Sequence, residues 1–239
     1  MSAMAKKEER TAWLFIALPF LGFLLFMAYP ICFAVFASMS KWTGMNSLVD
    51  NFCGLQNYIN IFHDEKFWKS LLTTIIYLIG IPIGMILGLL LAMGMNRKIP
   101  GIRLLRTMYY VPVVSSLVAV SILWAWVYNY DYGLFNSIIK LLTGHHGPNW
   151  LGDEFWGKGA LIIFMVWKGL GTSIILYLAG LQNIPRNYYE AASIDGANGW
   201  QKFRHITVPL VSPVTFYILI TSLIGGFQVF VEVQVMTNK

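Results

Sequence analysis

Charge is scarce in this chain: of 239 residues only 12% are Asp, Glu, Lys or Arg, against 57% hydrophobic. The mean hydropathy is +0.61. That balance excludes an ordinary water-soluble domain and leaves no room for an added catalytic domain beside a membrane unit. Cysteine is scarcer still. Cys32 falls inside an apolar run and Cys53 in a polar loop, so neither a disulfide framework nor a thiolate metal site is expected. The net charge of +6 is no nucleic-acid footprint, because the basic residues are confined to short segments between apolar runs. Basic loops facing a cytoplasmic leaflet account for them more simply. Histidine is equally thin; adjacent His145 and His146 do not converge readily on one ion and have no third ligand at useful spacing. No Ser-His-Asp pattern and no pair of intramembrane carboxylates supports hydrolysis.

Uncharged runs are what the chain has in abundance. The first, about Ala12 to Ala37, is long enough to cross the ~30 Å hydrocarbon layer with some tilt. It follows a short basic start but far exceeds the ~7–15 residues of a cleavable signal core, so it reads as a retained anchor. Pro19 and Pro30 predict a kink or broken helical ends within it. Four further spans are expected, at about Leu72–Met95, Met108–Tyr128, Gly159–Leu181 and Val208–Val231. The second carries Gly80, Gly84, Gly88 and Ala92 at four-residue intervals, a stripe that lets another helix pack at close backbone distance. The third ends in the aromatic belt WAWVY. Between the third and fourth spans lies a loop with Asn, Gly and Pro turn signals around one amphipathic piece. The fold class is therefore all-α, a polytopic helical bundle of about five spans.

Charge asymmetry sets the orientation. Lys6, Lys7, Arg10, Arg97, Lys98, Arg103, Arg106, Arg186, Lys202 and Arg204 flank one side, whereas the other holds Lys41, Lys66, Lys69, Lys140, Lys158 and Lys239 among acidic residues. The richer side faces the cytoplasm, which places the N-terminus and the segment after the fourth span there.

That segment, Tyr188 to Pro209, is a polar interruption between two apolar runs. Asn187 with Glu190 has the spacing of a reciprocal helix cap. Ala191 and Ala192 allow another surface to approach the backbone closely. Gly196 is placed to end the helix in the left-handed conformation. Asn198 with Gln201 repeats the capping spacing for a second short helix, which would put Trp200, Phe203 and Ile206 or Thr207 on one face before Pro209 opens the next run. By chemistry alone this helix-turn-helix could equally be an amphipathic loop lying at the headgroups. Glu190, Ala191, Ala192, Gly196 four residues later and Pro209 resemble the EAA signature of the inner-membrane permease subunits of binding-protein-dependent ABC importers. The flanks LAGLQNIPRNYYEAASIDGAN and FRHITVPLVSP are most similar to the carbohydrate-importer branch.

The resemblance implies one transmembrane permease domain over residues 1–239 and a cytosolic coupling loop over 186–207. It also implies a multi-pass location in a bacterial or archaeal cytoplasmic membrane. This branch typically continues with at least one further span, so the chain is expected to lack a final C-terminal one. The expected partners are a second permease subunit, two cytosolic ATPase subunits, an extracytoplasmic solute-binding protein and the lipid bilayer, with no nucleic acid. ATP and Mg²⁺ would be bound by the ATPase partners and no cofactor by this chain. Tyr188, Glu190, Ala191, Ala192, Asp195 and Gly196 would meet the ATPase, with Glu190 and Asp195 offering charge and Gly196 making the turn.

The expected cargo is a sugar, oligosaccharide or related polyol. Lys168, deep within the fourth span, is costly there unless it faces a cavity or partner, or snorkels; with Gln228 and Glu232 it is a candidate for the pathway. Residues 152–159, GDEFWGKG, nearly spell a phosphate-binding loop but end in Gly159 instead of a hydroxyl residue, carry two acidic side chains and follow no strand. A permease for a non-sugar solute is the nearest alternative, and an exporter half would usually carry a fused ATPase. A membrane-embedded enzyme or assembly protein would need clustered catalytic side chains near one interface, and the sequence has none.

Overall fold

The computed structural model describes residues 3–96 and 101–237, so Arg97, Lys98 and Lys239 of the charge count lie outside the described residues. The side chains of Lys6, Lys7, Arg10 and Arg103 lie outside them too. The chain divides into two compact units, Met1–Ser70 and Leu71–Lys239.

In the first unit, helices α1 (Ala3–Phe23) and α2 (Tyr29–Ser38) are joined without interruption by a π-helical turn over Leu24–Ala28. Thr11–Ser38 thus forms one apolar helix of 28 residues, long enough to span a membrane. The wide turn explains how Pro30 is accommodated. The Tyr29 amide reaches back five residues to the Leu24 carbonyl, and the added residue opens space where the proline ring would otherwise meet the preceding turn. The polar segment beyond is pinned by side chains: Asn57 donates to the carbonyls of Ser38 and Ser40, and the Ser38 and Tyr58 hydroxyls meet at 2.6 Å. Short α3 (Gln56–Phe62) follows.

Helix α4 (Glu65–Leu78) leads into α5 (Gly80–Met95), and together they make an apolar span of 31 residues. The third expected span is not one rod. Helices α6 (Ile102–Val114) and α7 (Leu117–Val127) meet at 104°. Pro112 removes a backbone donor near the end of α6, Ser115 and Ser116 turn extended (ψ 147° and 129°), and the Ser115 hydroxyl donates to the Val111 carbonyl. After α8 (Leu134–Thr143) comes α9 (Glu154–Gln182), the 29-residue helix against which α5, α6 and α12 pack.

The polar segment after α9 holds α10 (Arg186–Ile194) and α11 (Gly199–Lys202). The latter is no separate helix. It runs through a second π turn, Phe203–Thr207, directly into α12 (Val208–Phe227), so that Gly199–Phe227 is one 29-residue span. Pro209 stands just past that turn as Pro30 does past the first. Helix α13 (Val231–Thr237) packs on α7.

Two apolar clusters share α9. One gathers Ala92, Met95, Ile174, Tyr177, Leu178, Leu181 and Val211; the other gathers Tyr77, Val120, Tyr128, Ala160, Leu161 and Phe164 around a group of aromatic rings. The glycine stripe of α5 is used unevenly. Gly80 faces Ile162 and Val166, and a Cβ on Gly88 would sit 2.7 Å from the Ser173 Cβ, whereas one on Gly84 would meet nothing within 4 Å. Gly88, not Gly84, is the glycine whose place against α9 leaves no room for a side chain.

Candidate functional site

Between the two clusters, α9 borders a cavity of about 460 Å³, within the ~300–1,000 Å³ typical of small-molecule sites. Gly80 and Gly84 of α5, Gly169 of α9 and Gly225 and Gly226 of α12 leave its walls open, and Tyr77 and Phe164 supply rings. Thr172, Ser173, Thr221 and Ser222 bring hydroxyls. The Thr221 hydroxyl is spent on the Tyr217 carbonyl at 2.8 Å, yet its oxygen can still accept.

Lys168 and Glu232 both line this cavity. Lys168 occupies the centre of Glu154–Gln182, ~21 Å along the axis from either end at 1.5 Å per residue. That is deeper than a span beginning at Gly159 would place it. Glu232 comes from the first turn of α13, and the two charges are near enough to interact. A cation at mid-span that faces a cavity with an opposed carboxylate avoids much of the cost of burial in hydrocarbon. Gln228 does not join them. It ends α12, with its side chain exposed and outside the lining.

Helix α10 stands at the far end of the same bundle. It begins after Pro185, and Asn187 falls inside the first turn, so no reciprocal cap with Glu190 forms. Proline at the start has already fixed the backbone for helix entry. The exit follows the expectation. Gly196 has φ +74°, its amide donates to the Ser193 carbonyl, and the Ala197 amide reaches the Ala192 carbonyl at 2.8 Å, the paired closure of a glycine-terminated helix. Asn198 and Gln201 exchange both bonds of a capping box, at 2.9 and 2.7 Å.

Tyr188, Glu190, Ala191, Asp195 and Gly196 are exposed, with Ala192 half-buried. Ile194, 87% exposed, extends the apolar part of that outer surface. Tyr189 turns inward. Its hydroxyl pairs with the buried Thr207 hydroxyl at 2.9 Å, and the Lys202 ammonium donates to the Ser193 hydroxyl at 2.8 Å. These two ties fasten α10 to the start of the α12 span, while Tyr189 and Ile206 pack against the inner apolar cluster. The signal for Tyr189 was present in YYEAA: neighbouring residues on a helix diverge by ~100°, so one tyrosine of the pair must face the protein.

The phosphate-loop look-alike has a structural job. Asp153 caps α9 by accepting from the amides of Phe155 and Trp156, and Lys158 pairs with Glu154 at 2.8 Å. His146 stacks on Tyr130.

Residues 80–239 match the family described as binding-protein-dependent transport system inner membrane component. The chain is 37% identical over 239 residues to the lactose transport system permease protein LacF of Rhizobium radiobacter, covering 99% of this chain and 79% of that protein. To the arabinooligosaccharides transport system permease protein AraP of Bacillus subtilis it is 35% identical, covering 96% and 72%. In fold it overlays a chain of a bacterial ABC transporter involved in the import of the acidic polysaccharide alginate. That overlay has a TM-score of 0.75 at 24% identity and covers 94% of this chain and 76% of that one.

Proposed function

We propose that this chain, which belongs to the binding-protein-dependent transport system inner membrane component family, carries a sugar through the cavity at the middle of α9. It is a multi-pass permease subunit of an ABC importer, and sugar importers are the relatives it matches. The cavity holding Lys168 and Glu232 carries the pathway reading, because a lysine at mid-span is otherwise costly. Hydroxyl-rich cargo suits the lining: Lys168 offers donors, Glu232 accepts, and the Tyr77 and Phe164 rings present apolar faces.

Energy enters at the other end. The exposed side of α10, with Tyr188, Glu190, Ala191, Ala192, Asp195 and Gly196, docks on the ATPase subunits, which bind ATP and Mg²⁺; this chain contributes no nucleotide site. Closure of those subunits displaces α10. The Tyr189–Thr207 and Ser193–Lys202 ties pass the displacement to α12, which carries Thr221, Ser222 and Gly225 at the cavity wall. The movement is a rigid-body rocking between access states. A second permease subunit completes the pathway, and a binding protein delivers cargo from outside. An alginate transporter whose fold resembles this one is known in complex with a periplasmic protein bound to an alginate pentasaccharide. The α6–α7 pair counts as one crossing. The N-terminus and α10 then share the cytoplasmic side, where the basic segments lie.

Lys168→Met and Glu232→Gln, each in the assembled transporter with its binding protein, test the pathway. Both variants should assemble normally yet show altered uptake or altered ATP turnover per sugar moved. Unchanged uptake in both would remove the cavity from the pathway.

A further inference from the structure

Helix α8 divides its surface into three faces. Phe135, Asn136 and Ile139 turn toward the protein. Phe135 packs edge-on to Tyr128 at 5.2 Å and to Trp150 at 5.8 Å. The buried Asn136 donates to the Tyr130 and Pro148 carbonyls and accepts from the Trp150 indole at 2.8 Å. Ser137 and Lys140 make a second, polar and exposed face. Leu134, Ile138, Leu141 and Leu142, spaced i, i+4, i+7 and i+8, make the third. It is wholly aliphatic and open, with Leu141 86% and Leu142 77% exposed.

Ten residues make ~15 Å of helix, half the ~30 Å hydrocarbon layer, so α8 does not cross the membrane. Yet exposed aromatic rings flank it on both sides. Before it, exposed Trp126 stands in the last turn of α7 and exposed Tyr130 and Tyr132 follow; after it, exposed Phe155 and Trp156 open α9. Rings of this kind gather at the headgroup level of a bilayer. A helix with protein behind it, aliphatic side chains on one flank and a lysine with a hydroxyl on the other has the facial pattern of an element lying in that zone. A protein partner fits less well. Interface centres are rich in aromatic residues, Met and Arg, whereas leucine is under-represented among the side chains that dominate binding energy. The exposed flank of α8 offers only Leu and Ile.

We propose that α8 is an interfacial lipid anchor. Leu134, Ile138, Leu141 and Leu142 insert at the boundary between headgroups and acyl chains, and Lys140 reaches the phosphates with its aliphatic stem along the surface. Through Asn136 and Phe135 the anchor fixes the height of the ring cluster containing Trp124, Tyr128 and Trp150, which meets Phe164, a wall of the cavity. That α8 lies on the outer leaflet rests on the orientation proposed above; its contact with lipid does not.

The test uses the transporter assembled with its partner subunits in vesicles of phosphatidylethanolamine and phosphatidylglycerol. Cys32 and Cys53 are first replaced by alanine. Single cysteines are then introduced as Leu141→Cys, Leu142→Cys and Lys140→Cys and labelled with a nitroxide. Power saturation is measured against oxygen, which partitions into lipid, and against a water-soluble nickel chelate. The oxygen-to-nickel ratio should be several-fold higher at 141 and 142 than at 140. Equal, nickel-dominated access at all three positions would place the face in water, and low access to both reagents at 141 and 142 would mean a protein covers it. Either result overturns the proposal. Should labels at 141 or 142 prevent assembly, Leu134→Cys and Ile138→Cys carry the same readout.

Discussion

Replacing Gly88 by alanine adds one methyl group where α5 packs tightly against α9. A Cβ there would lie 2.7 Å from the Ser173 Cβ and 3.7 Å from the Tyr177 ring. Carbon atoms pack best at about 3.5–4.0 Å, so the helices must separate or rotate by roughly 1 Å. The Ser173 Cβ is fixed to its backbone and cannot swing aside. Overpacking of this kind costs about 1–3 kcal/mol, while alanine regains up to ~1 kcal/mol of helix propensity over glycine. Gly84 is the internal control, one turn earlier on the same stripe, because the cavity lies beside it and its Cβ would meet nothing within 4 Å. Gly84→Ala should therefore be neutral or slightly stabilising. Gly88→Ala should destabilise the purified, assembled transporter by on the order of 1–2 kcal/mol. Heating each variant in detergent and following the intact complex by size-exclusion chromatography gives the two melting temperatures. Coincident melting, or a Gly84 variant less stable than the Gly88 one, would refute the assignment of the crossing point.

Gly196→Val forces a β-branched residue into a left-handed conformation at a cost of roughly 1–2 kcal/mol. The spans should still insert, while the ATPase co-purifies poorly and uptake is lost; full uptake with normal ATPase retention would mean that α10 is not the coupling element. Tyr189→Phe removes the hydroxyl that meets Thr207 and should cost about 0.5–1.5 kcal/mol. Its expected signature is less sugar moved per ATP hydrolysed at normal complex yield, and unchanged coupling would show that this tie carries no force. Asn136→Leu strips partners from the Trp150 indole and two carbonyls, at about 1–3 kcal/mol for each group left unsatisfied. Residues 129–153 should then become sensitive to protease added to membrane vesicles, and unaltered resistance would count against Asn136 as the pin of that segment.

Much of α10 was legible in the sequence because its determinants are local. Gly196 ends α10 since glycine alone enters the left-handed region without steric cost, and the Asn198–Gln201 box needs only four consecutive residues. Its start is not capped by Asn187, because Pro185 already sets the entry. The facing of the following turn was beyond local reasoning. The π turn at Phe203–Thr207 inserts one residue and rotates everything after it by ~100° relative to an α-helical wheel. Trp200 and Thr207, expected on one face, accordingly end as an exposed ring and a buried hydroxyl.

By itself the sequence determined that this chain is a membrane bundle, where its apolar runs lie and how the polar helix after the fourth span ends. Hydropathy over a fixed bilayer thickness and the chemistry of short caps are read one segment at a time. Only the tertiary structure decided that α6 and α7 break at Ser115–Ser116, that Gly88 and not Gly84 bears the α9 crossing, and that Glu232 but not Gln228 shares a cavity with Lys168. Each of those depends on how helices rotate and cross. Side chains only four residues apart in sequence can face a cavity or open surroundings according to where one helix ends and the next begins.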